Sequence, residues 1–150
     1  MLNIKSIFSN EDFEKLSISR NQFIDFLFKY LDAFGDPKTD IEKCLDYAFS
    51  KNIGMGGFAL AAIDDDDELI GALIMNKTGM SSYIPDNILV YVAVHPKTRG
   101  KGIGRQIVDK SIEMADGDVK LHVEYDNPAK RLYERIGFTN KYAEMRFIKK

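Results

Sequence analysis

Cysteine is nearly absent from this chain of 150 residues. The one present, Cys44, cannot close an internal disulfide, so a reducing cytoplasm is the simplest compartment to expect. No Pro/Ser-rich linker, low-complexity tract or internal repeat divides the sequence. No apolar run is long enough to cross a membrane, and the opening MLNIKSIFSNED lacks the apolar centre of a signal peptide. An excess of one charge is missing too. With 21 basic and 23 acidic residues the net charge is −2, which argues against a general nucleic-acid binder. What is left is a chain that is 45% hydrophobic and of a length suited to one domain, residues 1–150, with a core of its own.

The pattern of elements follows from periodicity. Leu2 to Phe8 alternates as a short strand. Ser9-Asn10-Glu11-Asp12 has the residues of a helix start, with Ser9 or Asn10 as cap. Phe23, Phe26, Leu27, Tyr30, Leu31 and Phe34 then form one apolar helical face, ended by Gly35-Asp36-Pro37. Thr39 or Asp40 can cap a second helix to about Ser50; Cys44 falls there with Ile41, Leu45 and Ala48 as a small buried residue. Phe58–Ile63 and Leu69–Met75 read as two strands around Asp64-Asp65-Asp66-Asp67-Glu68. Those acids are adjacent and lack the spacing and central glycine of a calcium loop, so they read as a solvated hairpin tip, and no metal is expected.

The most informative stretch is Asn87 to Val108. Ile88–Val94 is an apolar, β-branched run, and Pro96 stops it because proline has no N–H for a ladder. Arg99-Gly100-Lys101-Gly102-Ile103-Gly104 follows, and Arg105 onward has helical spacing through Ile107, Val108, Ile112 and Ala115. A glycine-rich turn at a helix N-terminus presents backbone N–H groups to a phosphate or pyrophosphate. A P-loop string is absent, and the glycine spacing is wrong for a dinucleotide fingerprint. After a turn at Asp116-Gly117-Asp118, Val119 to Glu124 reads as a strand. Asn127 and Pro128 open another helix, which Gly137 closes. Phe138 and Tyr142–Ile148 read as a final strand or strand pair. The order β-α-α-β-β-β-α-β-α-β is α/β or α+β, a mixed, mostly antiparallel sheet with helices on both faces.

Arg99, Gly102 and Gly104 form Arg-x-x-Gly-x-Gly after a strand ending Val94-His95-Pro96. Asn127, Ala129, Leu132, Tyr133, Gly137 and Phe138 form a second signature. Together they resemble the GCN5-related N-acetyltransferases (GNAT), closely over about residues 87–140 and by element order alone before that. The resemblance implies that the strands around residues 90 and 121 splay apart into a cofactor cleft. It implies direct transfer of an acetyl group from acetyl-CoA to a primary amine of a small molecule or peptide, with no acyl-enzyme and hence no role for Cys44 as nucleophile. The alternatives are a non-catalytic acyl-CoA-binding regulatory module and, against the loop spacing, a nucleotide-binding module. The partners implied are the amine acceptor and coenzyme A, with a homodimer left open and neither nucleic acid nor membrane expected.

Residue by residue, the resemblance places the pyrophosphate on the backbone N–H groups of Arg99, Gly100, Lys101, Gly102, Ile103 and Gly104. Arg99, Lys101 and Arg105 add positive charge. Val92 and Val94 offer backbone groups to the pantetheine arm, as an added strand would. Asn127 is a helix cap, a pantetheine contact, or both. Tyr133 matches the general acid: a phenol is protonated at neutral pH and can give its proton to a leaving thiolate. The base is the departure. Many members carry Glu where this chain has Val90, and some carry Glu where it has His122. A neutral imidazole at His122 can accept a proton; Glu124 shares its strand parity, and Tyr91 could hold a water. His95 is expected on an exposed turn.

Overall fold

A computed structural model describes residues 2–150. Strand β1 spans Asn3–Ile7 and is followed by helices α1 (Arg20–Leu31) and α2 (Lys38–Ala48). Strands β2 (Gly57–Ile63), β3 (Leu69–Lys77) and β4 (Asn87–Val94) come next, then α3 (Ile103–Met114), β5 (Val119–Leu121) and α4 (Ala129–Ile136). The strands form one sheet in chain order, antiparallel from β1 to β4 and parallel between β4 and β5. This is the expected mixed, mostly antiparallel α/β sheet.

Strands β2 and β3 run apolar on both faces because helices cover both. On one face Phe23, Leu27, Ile41 and Leu45 of α1 and α2 pack on Ala59, Ala61, Ala72 and Ile74. The small alanines let two helices lie close to the strands. On the other face Ile103, Ile107 and Val108 of α3 and Tyr133 of α4 pack on Leu60, Leu73, Met75 and Leu89. Phe23, Leu27, Ile41 and Leu45 are all at 0% exposure. Each such side chain stabilises the fold by roughly 1.5–3 kcal/mol.

Four expectations need correction. Ser9-Asn10 opens only a 3-10 turn, Asn10–Lys15, and Ser9 makes no side-chain cap. The Asp12 carboxylate instead accepts from the Phe8 N–H at 2.8 Å, which holds its pKa below the usual carboxylate value. The long helix starts at Arg20, where Ser19 and Gln22 form a reciprocal capping box. Helix α2 starts at Lys38 behind Pro37 rather than at a Thr39 or Asp40 cap. Strand β5 ends at Leu121, short of Glu124. Residues 138–150 form no strand, and Tyr142, Met145, Phe147 and Ile148 stand exposed. The acidic run is a hairpin tip as expected: Asp64 Oδ1 accepts from the Asp66 and Glu68 N–H groups, at 2.9 and 3.0 Å.

The sheet opens between β4 and β5. They pair only at Asn87↔Val119, Ile88↔Lys120 and Leu89↔Leu121, and beyond Leu89 that edge of β4 is free. The closed end is pinned by buried Asn87, whose Nδ2 donates to the Asp116 and Asp118 carbonyls at 3.1 and 3.2 Å. On the β3 side, Ile74 pairs with Tyr91 but Met75 pairs with Leu89, so Val90 is an extra residue, a β-bulge. Bulge and splay therefore begin at the same point of β4.

Candidate functional site

Above the bulge, the free edge of β4 carries backbone groups with a defined direction. His95 donates its N–H back to the Ile70 carbonyl at 2.8 Å, toward β3. Backbone direction alternates along an antiparallel strand, so Val94 and Val92 turn their N–H and C=O groups to the open side. His95 itself is half-buried rather than fully exposed. Its Nδ1 accepts from the Lys97 N–H, and its ring lies 4.8 Å from that of Tyr30.

The chain then turns through Pro96–Thr98 into the glycine loop. Gly100 and Gly102 have φ of 80° and 75°, the left-handed region, and a Cβ on either would meet no atom within 4 Å. The outer side of the loop is thus an open cradle. A Cβ on Gly104 would meet Leu132 Cδ2 and Val94 Cγ2, each at 3.4 Å, so this glycine lets α3 pass close to α4 and β4. Gln106 is bonded back to the Gly102 carbonyl at 3.1 Å. The amides of Ile103, Gly104 and Arg105 in the first helical turn precede it, where no intrahelical acceptor exists. Arg99, Lys101 and Arg105 are exposed around the loop, Arg105 also contacting Asp109 at 3.4 Å. An open cradle of N–H groups with three cations fits a diphosphate.

Tyr133 projects from α4 into the core cluster on the α3 side. Its ring meets Phe138 edge-on at 5.8 Å, and burial pushes its phenol up to about 12. Asn76 Oδ1 is the one side-chain atom, among the described residues, that is both sealed from solvent and unpartnered. Among the described residues the Tyr133 hydroxyl has no hydrogen-bond partner, and it is not one of the sealed atoms, so its oxygen reaches the surface. A buried ring with an open, protonated hydroxyl is suited to giving a proton or hydrogen bond to something in the cleft. Helix α4 starts at Ala129 with Pro128 in the cap position, one residue later than expected, so Asn127 stands just before the cap; its Oδ1 accepts from the Ala129 N–H at 2.9 Å.

His122 is placed differently. Leu121 and Val123 on either side of it pack into the cluster that holds Tyr133, while His122 is exposed. The structure therefore does not bring His122 to the same side as Tyr133. Desolvation first, then the nearby Lys120, lowers its pKa, which favours the neutral imidazole. Glu124 is exposed beyond the end of β5. Tyr91 sits on the α1–α2 side and donates its hydroxyl to Asp36 Oδ2 at 2.6 Å. Burial first, then this carboxylate, raises the Tyr91 phenol, keeping it a donor. Asp36 carried no local signal in the sequence, since it meets Tyr91 from 55 residues away. Among the described residues, no group of three or more His, Cys, Asp or Glu could hold a metal ion, and no helix is long and apolar enough to cross a membrane.

Comparison with known proteins agrees with this geometry. The family model described as "Acetyltransferase (GNAT) domain" matches residues 56–140. Among solved structures, a ribosomal-protein-alanine N-acetyltransferase from Brucella melitensis biovar Abortus 2308 is 20% identical, with 99% of each chain covered and a TM-score of 0.64. A glucosamine-6-phosphate N-acetyltransferase from Arabidopsis thaliana is 17% identical, covering 99% of this chain and 98% of that one, at a TM-score of 0.60. An aminoglycoside N-acetyltransferase solved in complex with CoA is 14% identical, covering 99% and 95%, at a TM-score of 0.69. No curated protein matches the chain by sequence.

Proposed function

The chain belongs to the GNAT family of acetyltransferases, and from that premise we propose that it moves an acetyl group directly from acetyl-CoA to a primary amine of a small molecule or peptide. The observation that carries the reading is the open glycine cradle at the start of α3, set directly after the free edge of β4. Acetyl-CoA supplies the activated thioester; this chain's residues hold it and manage protons. Arg99, Gly100, Lys101, Gly102, Ile103, Gly104 and Arg105 hold the pyrophosphate, the outward N–H groups by hydrogen bonds and the three cations by charge. Val92 and Val94 pair with the amide groups of the pantetheine arm along the free edge of β4. Asn127, its Oδ1 used by Ala129, keeps its side-chain N–H groups for the same arm. Tyr133 gives a proton or hydrogen bond to the sulfur as the C–S bond breaks. The sequence resemblance nominates His122, exposed and with its pKa lowered, as one candidate acceptor of the amine proton. A cytoplasmic setting and a homodimer belong to the same proposal.

The acceptor classes to test are those of the solved neighbours plus a polyamine. Thiol release from acetyl-CoA is followed with an alanyl peptide, glucosamine 6-phosphate, an aminoglycoside and putrescine in turn, while calorimetry compares coenzyme A with ATP and NAD. Micromolar coenzyme A binding together with transfer to at least one amine is the expected result. Binding without transfer to any amine turns the reading to a regulatory acyl-CoA module. Preference for ATP or NAD removes it.

A further inference from the structure

The family's carboxylate is missing at Val90, yet a carboxylate stands beside that position in space. The bulge at Val90 turns both Val90 and Tyr91 toward the α1–α2 side of the sheet, where each packs against the same cluster. From there the Tyr91 hydroxyl reaches Asp36, in the connection between α1 and α2. Asp36 is exposed, so it can meet a substrate and exchange its proton with water. Tyr91 engages only Oδ2, and a carboxylate has further lone pairs on both oxygens. Among the described residues no cation takes them: Lys38, two residues on, pairs with Asp25 at 2.8 Å.

Of the other titratable groups that face this patch, Cys44 and Tyr91 are poor proton acceptors, and Asp40 is not held by Tyr91. Cys44 of α2 is buried and its thiol is pushed up to about 12, chiefly by burial. Tyr91 stays a phenol. Asp40 of α2 is near enough to act on Tyr91 by charge but makes no hydrogen bond to it. Asn76 donates to Cys44 Sγ at 3.3 Å, and His95, just past β4, packs its ring on Tyr30 of α1 with its Nδ1 taken by the Lys97 N–H. The patch also lies across the sheet from Tyr133, and the splay between β4 and β5 is where the sheet is open between the two faces. Proton removal from the incoming amine and proton delivery to the departing sulfur would then act from opposite sides of one opening.

We propose that Asp36 is the proton acceptor of the transfer reaction and that Tyr91 is its positioning residue, replacing through space the carboxylate absent at Val90. The proposal rests on the acetyltransferase reading above. Asp36 takes a proton from the acceptor's ammonium group. The freed nitrogen bonds to the thioester carbonyl carbon, and the C–S bond breaks with its electron pair left on sulfur. A second nitrogen proton replaces the one Tyr133 gives to that sulfur. Asp36 then returns its proton to water, so one proton is released per amide formed.

The test uses the full chain and the best acceptor among an alanyl peptide, glucosamine 6-phosphate, an aminoglycoside and putrescine. Asp36→Asn should lower kcat at pH 7 by roughly tenfold or more, as for other lost acid–base groups, with coenzyme A affinity and Tm unchanged. Without the base only the neutral fraction of the amine reacts, so the variant's rate should climb about tenfold per pH unit toward the amine's own pKa. Asp36→Glu should recover part of the rate, and Tyr91→Phe should give an intermediate loss with the same steepened profile. A parent-like kcat and pH profile in Asp36→Asn overturns the proposal and leaves the acetyltransferase reading standing. A steepened profile in His122→Ala but not in Asp36→Asn overturns it in favour of His122. Absence of transfer by the unmodified chain to all four amines overturns both readings together.

Discussion

Tyr133→Phe removes one oxygen atom from α4 and little else. The aromatic ring keeps its burial and its edge-on contact with Phe138. The lost hydroxyl has no partner among the described residues, so none of their donors or acceptors is orphaned. Stability should therefore shift by no more than about 0.5 kcal/mol, like a surface change away from special features. Rate is another matter. Burial holds the phenol near 12, well above its ordinary value. An ordinary thiol titrates at about 8.5, so full proton transfer from this phenol to a free thiolate would run uphill by roughly 4–5 kcal/mol. Tyr133 thus helps chiefly by a hydrogen bond that strengthens as charge builds on sulfur, its proton passing to sulfur only as the second nitrogen proton replaces it. Its worth should lie toward the lower end of acid–base contributions, a drop of roughly 10- to 100-fold in kcat, or about 1.4–2.7 kcal/mol of barrier. Thiol release under saturating acetyl-CoA and amine measures kcat, calorimetry measures coenzyme A affinity, and a thermal melt follows the fold. Because the phenol stays protonated well past pH 10, it should add no falling limb to the rate below that pH. An unchanged kcat would refute the role. So would a drop matched by an equal loss of coenzyme A affinity or several degrees of Tm, which would make Tyr133 a packing residue.

Gly104→Leu should abolish coenzyme A binding in calorimetry, because even a Cβ there already touches Leu132 and Val94 at 3.4 Å and a larger side chain must displace the cradle. Ser19→Ala removes one half of the capping box, Oγ accepting from the Gln22 N–H at 3.1 Å, and should cost about 1 kcal/mol, read as a fall in Tm of about 2–4 °C. Cys44 should resist iodoacetamide in the native protein up to about pH 10, since the thiolate is the nucleophile and burial holds the thiol near 12. The raised pKa means the folded state holds this proton more tightly than the unfolded one. Its contribution to stability is thus present below the unfolded thiol's pKa and is lost as pH rises through the folded one, so denaturant midpoints should fall above about pH 9 more in the parent than in Cys44→Ala.

The central strands and α3 could be read from the sequence because each announces itself locally. Strands β2 and β3 are short continuous apolar runs bounded by turn residues, and α3 repeats Ile107 and Val108 on one buried face behind a loop with a specific glycine spacing. The first helix was misplaced because Ser9 with acids behind it looks like a cap, although Ser19-x-x-Gln22 is the better capping box and was there to be found. Tyr142–Ile148 has strand propensity, but a strand needs an edge to pair with, and propensity cannot supply one. The loop residues and Tyr133 were readable as motif positions. The neighbour of Tyr91 was not, because no local pattern reports a contact with Asp36 across 55 residues; the only hint was the apolar residue at Val90.

The uneven pairing along the sheet has a consequence for how the molecule breathes. Strand β4 is laddered to β3 at seven register positions but to β5 at three. The C-terminal part of the chain, β5 with α4, is therefore the part that can detach first while the rest stays folded. Anything that spans the gap, held by the α3 loop and β4 on one side and by Asn127 on the other, ties that loose segment to the rigid remainder. Ligand at about 100 times its Kd would deepen such an opening by about 2.7 kcal/mol. Amide exchange at Lys120 and Leu121 should then slow on adding coenzyme A, while exchange at Leu60 and Leu73 in the middle of the sheet hardly changes.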